Sequence, residues 1–215
     1  MNQTEIVKIL DKHIKNNRMI LYKGEEERKY LYDYINAIRK KKPEITEDVF
    51  EIIKNTIGQC SLCKDMAEKK YGFGGAENGI IVLLNTPKLV NNLERNIYKK
   101  DSVDLLKKML YAISVKLGEC YLTNLIKCEI DNTLLKPSQI IKNCESILRK
   151  EIELLNPHTV IVLGEMISLQ KIIKESSGIT WFNVEHPITL IKNPELKRSA
   201  WSTLKLVADH LKASQ

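Results

Sequence analysis

The sequence predicts an α/β protein of three layers, α/β/α, with a mostly parallel central sheet and a helical N-terminal extension. Three observations carry that expectation. Short β-branched runs recur between Gly, Asn and Pro, as in Gly79-Ile80-Ile81-Val82-Leu83-Leu84 and Thr159-Val160-Ile161-Val162-Leu163. Segments with apolar residues at helical spacing fall between them. Strand and helix alternate, and parallel strands need such crossovers.

Residues 1–56 are charged, rich in Tyr and helical in pattern. Ile6, Leu10 and Ile14 share one helix face, and Leu31, Tyr34, Ile35 and Ile38 share another. Thr46-Glu47-Asp48-Val49 marks a third helix start, with Val49, Ile52 and Ile53 expected on its inner face. The basic run Arg39-Lys40-Lys41-Lys42 before Pro43 suits a solvated helix end or a phosphate contact. The α/β domain is expected over 57–215. Its first strand spans 79–84. A helix follows over Val103–Val115, stopped by Gly118, then a strand over Cys120–Asn124. Pro137–Leu155 is a helix ending before Asn156-Pro157, and Thr159–Leu163 a strand. Met166–Lys174 is a helix, Ile179–Val184 a strand, and Pro194–Lys212 a closing helix.

The 215 residues suffice to bury a real core. Hydrophobic residues make up 43%, with 9 Gly and 6 Pro, which excludes a disordered or fibrous chain. A formal net charge of +7 and a pI near 9.0 suit attraction to phosphates, a property many soluble proteins share. Met1-Asn2-Gln3-Thr4-Glu5 lacks the basic and apolar pattern of a signal peptide, and the apolar runs are too short to span a bilayer. A cytoplasmic protein with no membrane association is expected. Its five cysteines then stay reduced, and ordered cysteine spacing suggests metal ligation rather than disulfides.

Cys60-Ser61-Leu62-Cys63 puts two thiols close together on one turn, while Cys128 and Cys144 lie further along, the second inside a helix. Four sulfurs suit an iron–sulfur cluster or zinc. A redox pair, or unrelated buried cysteines, explains the same spacing. A compact zinc ribbon would need a second CxxC, which the chain lacks. Cys120 is spare and is expected as a small core residue.

The order of motifs after Cys63 is more specific than any one of them. It runs Tyr121-Leu122-Thr123-Asn124-Leu125-Ile126-Lys127-Cys128, then Cys144, then Pro157-His158-Thr159-Val160-Ile161-Val162-Leu163-Gly164. His186-Pro187-Ile188-Thr189-Leu190-Ile191-Lys192-Asn193-Pro194 follows, then Lys197 and Trp201. Over residues 57–212 this order resembles the thermostable, cluster-containing branch of the uracil-DNA glycosylase superfamily. The resemblance implies that Cys60, Cys63, Cys128 and Cys144 ligate a structural [4Fe–4S] cluster. It implies that His186 faces the base carbonyl and stabilises the anionic leaving base, and that Asn124 reads the base's Watson–Crick edge. Leu190 matches the loop that enters the duplex in relatives, with Lys192 beside it as a DNA contact. Taken alone, His186 suits a histidine capping a strand end before Pro187, and Asn124 a turn residue.

Breaking a base–sugar bond builds positive charge on the sugar and negative charge on the base, so such a site needs a carboxylate or held water and donors to the base. Where relatives carry Gly-Glu-Ala-Pro-Gly, this chain has Leu84-Asn85-Thr86-Pro87-Lys88. Asn85 and Thr86 can hold a water but carry no charge. The family's Pro-Phe-x-Gly-Arg-x-Gly becomes Ile97-Tyr98-Lys99-Lys100-Asp101-Ser102-Val103. Tyr98 stands in for the stacking aromatic, without the glycines that bring backbone close to the base. The expected activity is slow or redirected excision of uracil or a related damaged base from single- or double-stranded DNA. A catalytically silent DNA- or protein-binding member is the alternative, and an unrelated Cys-ligated redox or regulatory protein a third. The N-terminal helices are free to contact DNA, dock a protein partner or cover an apolar face.

Overall fold

The computed structural model describes residues 47–63, 68–85, 92–129 and 136–213. The chain divides into compact units of 1–44 and 45–215, and all described residues belong to the second. The two helices expected before residue 40, the basic run 39–42 and Thr46 lie outside them.

Four strands form the sheet: β1 (Ile80–Asn85), β2 (Tyr121–Asn124), β3 (Thr159–Gly164) and β4 (Thr180–Val184). Their order is β2-β1-β3-β4 and every pair is parallel. The helices are α1 (Glu47–Gly58), α2 (Asn92–Ala112), α3 (Pro137–Leu155), α4 (Gln170–Glu175), α5 (Pro187–Lys192) and α6 (Lys197–Ala213). Alternate strand residues face opposite layers. Ile80, Val82, Leu122, Ile161, Leu163 and Val184 pack with Leu106 and Leu110 of α2, Leu190 of α5 and Leu204 and Val207 of α6. Ile81, Leu83, Tyr121, Val160 and Val162 pack with Ile53 and Ile57 of α1, Leu148 of α3 and Ile172 of α4. The strands are apolar on both faces because both faces are covered, which gives the three layers expected.

All four strands and α3 stand where the sequence pattern puts them. Pro137 opens α3, where a missing N–H costs nothing. Asn156, in the left-handed conformation at φ 42°, closes it.

Elsewhere the structure differs. α1 packs Ile53 and Ile57 into the core of the α/β unit. Its inner face includes Val49 and Phe50, while Ile52 is exposed. α2 begins at Asn92, well before Val103, and contains all of 97–103. That stretch holds no Gly or Pro, so nothing interrupts the helix. The short helix α5 was not foreseen.

The segment after the CxxC pair returns along the outer edge of β2. Lys69 bridges to Cys128 and Phe73 to Leu122, both antiparallel. This covers strand groups that an open sheet edge would expose. Gly72 permits it, since a Cβ there would meet the Tyr121 hydroxyl oxygen at 2.2 Å. Among the described residues no helix is long and apolar enough to cross a membrane.

Candidate active site and metal centre

In a parallel sheet, loops that bind ligands gather where the strands end, at the point where the chain reverses its direction of winding. Here that point is β1: β2 lies on one side and β3 on the other. The candidate residues fall on this edge. Asn85 is the last residue of β1, opposite Gly164 at the end of β3. Asn124 ends β2 beside Leu84. His186 follows the end of β4.

Asn85 is nearly buried, and its Nδ2 donates to the Glu165 carbonyl at 2.6 Å. The amide therefore ties β1 to the turn after β3, leaving Oδ1 as the atom available to accept. Gly164 makes this closeness possible: its φ is +116°, and a Cβ there would lie 2.1 Å from the Asn85 carbonyl oxygen. The side-chain amide of Asn183 also donates to the Gly164 carbonyl. Thr86, Pro87 and Lys88 lie outside the described residues.

His186 is 5% exposed and is the N-cap of α5, its Nδ1 accepting from the Ile188 N–H at 3.2 Å. Pro187 at the first helical position presets the turn. Because Nδ1 accepts, the neutral ring carries its proton on Nε2. The capping bond thus holds the ring through Nδ1 and makes Nε2 its donor nitrogen.

Tyr98 is half-buried on α2, within a regular helix rather than a glycine-rich loop. Leu190 is 2% exposed and packs in the core with α2 and α6. Its burial follows from α5, which turns the loop inward. Lys192 is exposed in the last turn of α5.

The cysteines divide into two groups. Cys63 and Cys128 pack with Ile140 in a small cluster of their own. Burial pushes the Cys128 thiol above its ordinary range; Lys69 opposes this, and Cys63 and Cys60 add to it. Burial raises Cys144 likewise, against a backbone bond from Lys127, with Cys128 and Cys63 adding to it. The four thiols therefore share one electrostatic neighbourhood. Donors are aimed at three of them: Lys69 Nζ at Cys128 Sγ (3.7 Å), the Lys127 N–H at Cys144 Sγ (3.5 Å) and Asn143 Nδ2 at Cys63 Sγ (3.4 Å). Among the described residues no three His, Cys, Asp or Glu side chains are grouped to hold a metal ion. Cys120 stands apart in the other core layer, fully buried, its thiol raised to about 11 by burial.

One cluster escaped sequence reasoning. Lys127 and Glu151 form an ion pair at 2.5 Å, each side chain 1% exposed. Thr123 and Tyr121 donate to Glu151 Oε1 at 3.0 and 3.1 Å, and Lys127 Nζ donates to Thr123 Oγ1 at 2.7 Å. The network joins β2, the Cys128 loop and the helix carrying Cys144. Its signal was present: Glu151 occupies the apolar stripe of α3 between Leu148 and Leu155, where a charge needs a partner.

The family model described as the uracil DNA glycosylase superfamily matches residues 71–205. The chain is 18% identical to the type-4 uracil-DNA glycosylase of Archaeoglobus fulgidus, over 76% of this chain and 93% of that protein. It is 23% identical to the type-4 enzyme of Saccharolobus solfataricus, over 70% and 81%. With the Pyrobaculum aerophilum enzyme it shares 25% over 55% and 60%. The match includes all four strands, Asn85, Asn124, Cys128, Cys144 and His186. The chain belongs to the uracil DNA glycosylase superfamily.

Proposed function

We propose that this protein is a DNA glycosylase that flips uracil or a related damaged base out of DNA and hydrolyses its N-glycosidic bond. The observation that carries this reading is His186: buried, anchored through Nδ1, its proton on Nε2, at the strand-end edge shared with Asn124 and Asn85. A fixed donor of this kind stabilises negative charge growing on a leaving base without having to reorganise. In this reading Asn124 selects the base by hydrogen bonds. Asn85 Oδ1, with Thr86, orients a water toward the sugar, and Tyr98 flanks the base. Lys192 contacts phosphate.

We further propose that Cys60, Cys63, Cys128 and Cys144 hold a [4Fe–4S] cluster. The donor set fits: four thiols in one neighbourhood, three with N–H groups directed at sulfur, as cluster sulfurs commonly have. When bound, the cluster would cross-link the CxxC segment, the Cys128 loop and α3.

A silent, DNA-binding member is the second reading. It is favoured by the neutral Asn85, whose amide nitrogen is already engaged with Glu165, and by the helix that replaces a glycine-rich loop. A glycosylase assay on uracil-containing single- and double-stranded oligonucleotides, with alkali to cleave abasic sites, separates the two. Excision that disappears in His186→Ala supports the enzyme. No excision of any deaminated base supports the binder.

A further inference from the structure

We infer that the exposed side of α6 is a stacking platform for single-stranded nucleic acid, with Trp201 as its aromatic surface. Trp201 is 44% exposed, although it stands beside a helix face whose Ala200, Leu204 and Val207 are buried. Lys197 lies one turn before it and Lys205 one turn after, both exposed, with Arg198 exposed at the i−3 position. Residues three and four apart are neighbours on a helix surface. The indole is thus framed by three cations, and the stripe meets a carboxylate, Asp209, only a further turn on.

Three features suggest one occupant. The cations complement phosphates. The indole offers a π-face that every base can stack on, without sequence preference. And α6 follows the candidate active edge closely along the chain. His186 caps α5, a single 3-10 turn (Pro194–Leu196) follows, and α6 then packs along β4, the strand that ends two residues before His186. In an intact duplex the bases are stacked on each other and cannot meet the indole. The platform therefore favours single strands, or a strand locally opened by flipping. An acidic peptide would satisfy the lysines but has no systematic need for an exposed indole.

This inference rests on the nucleic-acid reading above, but its test does not require excision. The full chain is titrated with single-stranded oligothymidylate, which contains no uracil, and both tryptophan emission and fluorescence anisotropy of the labelled oligonucleotide are followed. The chain has two tryptophans, Trp181 and Trp201. Quenching is expected in the wild type and in Trp181→Phe. Trp201→Ala should lose it and bind roughly 5- to 150-fold more weakly, the range for one base–aromatic stack. Lys197→Gln with Lys205→Gln should reduce the salt slope by about 1.4, two single-strand phosphate contacts. A duplex of equal length should quench weakly. Binding that leaves Trp201 emission and affinity unchanged overturns the platform while leaving excision untouched. Equal quenching by duplex, or no binding of single strands, overturns it as well. Failure of excision with quenching intact overturns only the enzyme reading.

Discussion

Asn85 performs a structural task that a carboxylate could not. Its amide nitrogen donates to the Glu165 carbonyl, and Gly164 opposite it has no side chain to keep the backbones apart. The loss of the acid and the tightness of this turn therefore belong together. Excision is expected to be weak, about 100- to 1000-fold below relatives that keep the acid, because one electrostatic contribution at the sugar is missing. Asn85→Glu should raise the rate and cost stability by about 1–3 kcal/mol, since the Glu165 carbonyl loses its donor. Adding Leu84→Gly and Lys88→Gly tests whether those side chains crowd the base. Single-turnover kinetics and urea denaturation measure the two effects. If neither the wild type nor the triple variant excises any base, the enzyme reading fails. His186→Ala should abolish activity, and Asn124→Ala should relax base selectivity, judged by relative rates on uracil and cytosine. His186 was legible in sequence because Pro187 follows it. The core position of Leu190 was not, because a six-residue helix is too short to show a period.

The elements meet at the buried pair of Lys127 and Glu151. α3 supplies Cys144 and, two turns on, Glu151; the loop after β2 supplies Lys127 and Cys128. Burial lowers the Lys127 pKa, opposed by Glu151, so the ammonium depends on its partner to stay charged. Removing one member leaves the other buried and unpaired. Glu151→Gln should therefore destabilise the fold by about 3–5 kcal/mol, whereas an exposed carboxylate such as Glu153, paired with Lys150, should cost under about 1 kcal/mol. Thermal melts of the two variants decide this, and equal melting points would refute it. The cysteines give a parallel contrast. Protein purified without oxygen should be brown and hold about four irons per chain. Cys144→Ser should bleach or unfold it, whereas Cys120→Ser, in the other layer, should keep its iron. One zinc and no iron would overturn the cluster assignment. α3 was legible because its burial follows a helical period, and the strands because they are short, nearly unbroken apolar runs buried on both faces. The early start of α2 was not, because its first turns carry few apolar residues.

At the scale of the whole molecule, the sheet gathers Asn85, Asn124 and His186 from three strands onto one edge, and charge determines what approaches it. The alternation of strand and helix made the parallel sheet legible, but the order β2-β1-β3-β4 was not, because right-handed crossovers fix the face each helix takes and leave the strand order open. Side-chain charge around that edge was legible as a net +7 with Lys192 and Lys197 among its basic residues, but its exposure was not. The structure adds where some of it lies: Lys192 at the end of α5, and Lys197, Arg198 and Lys205 along α6. Phosphates bound by such side chains release their counterions, so affinity falls as salt rises. If about four of these cations contact duplex phosphates, the logarithmic slope is about −3.6, and affinity drops roughly 100-fold between 50 and 200 mM salt. Charge reversal tests this locally: Lys192→Glu should weaken binding about equally for uracil-containing and plain DNA, because a phosphate contact carries no base information. Asn124→Ala should do the opposite, leaving plain DNA bound as before while erasing any preference for uracil. Anisotropy titrations of both DNAs, each at three salt concentrations, measure all of these terms. Salt-insensitive binding, or none at low salt, would remove the nucleic-acid role and leave a protein partner as the better reading of the basic surface.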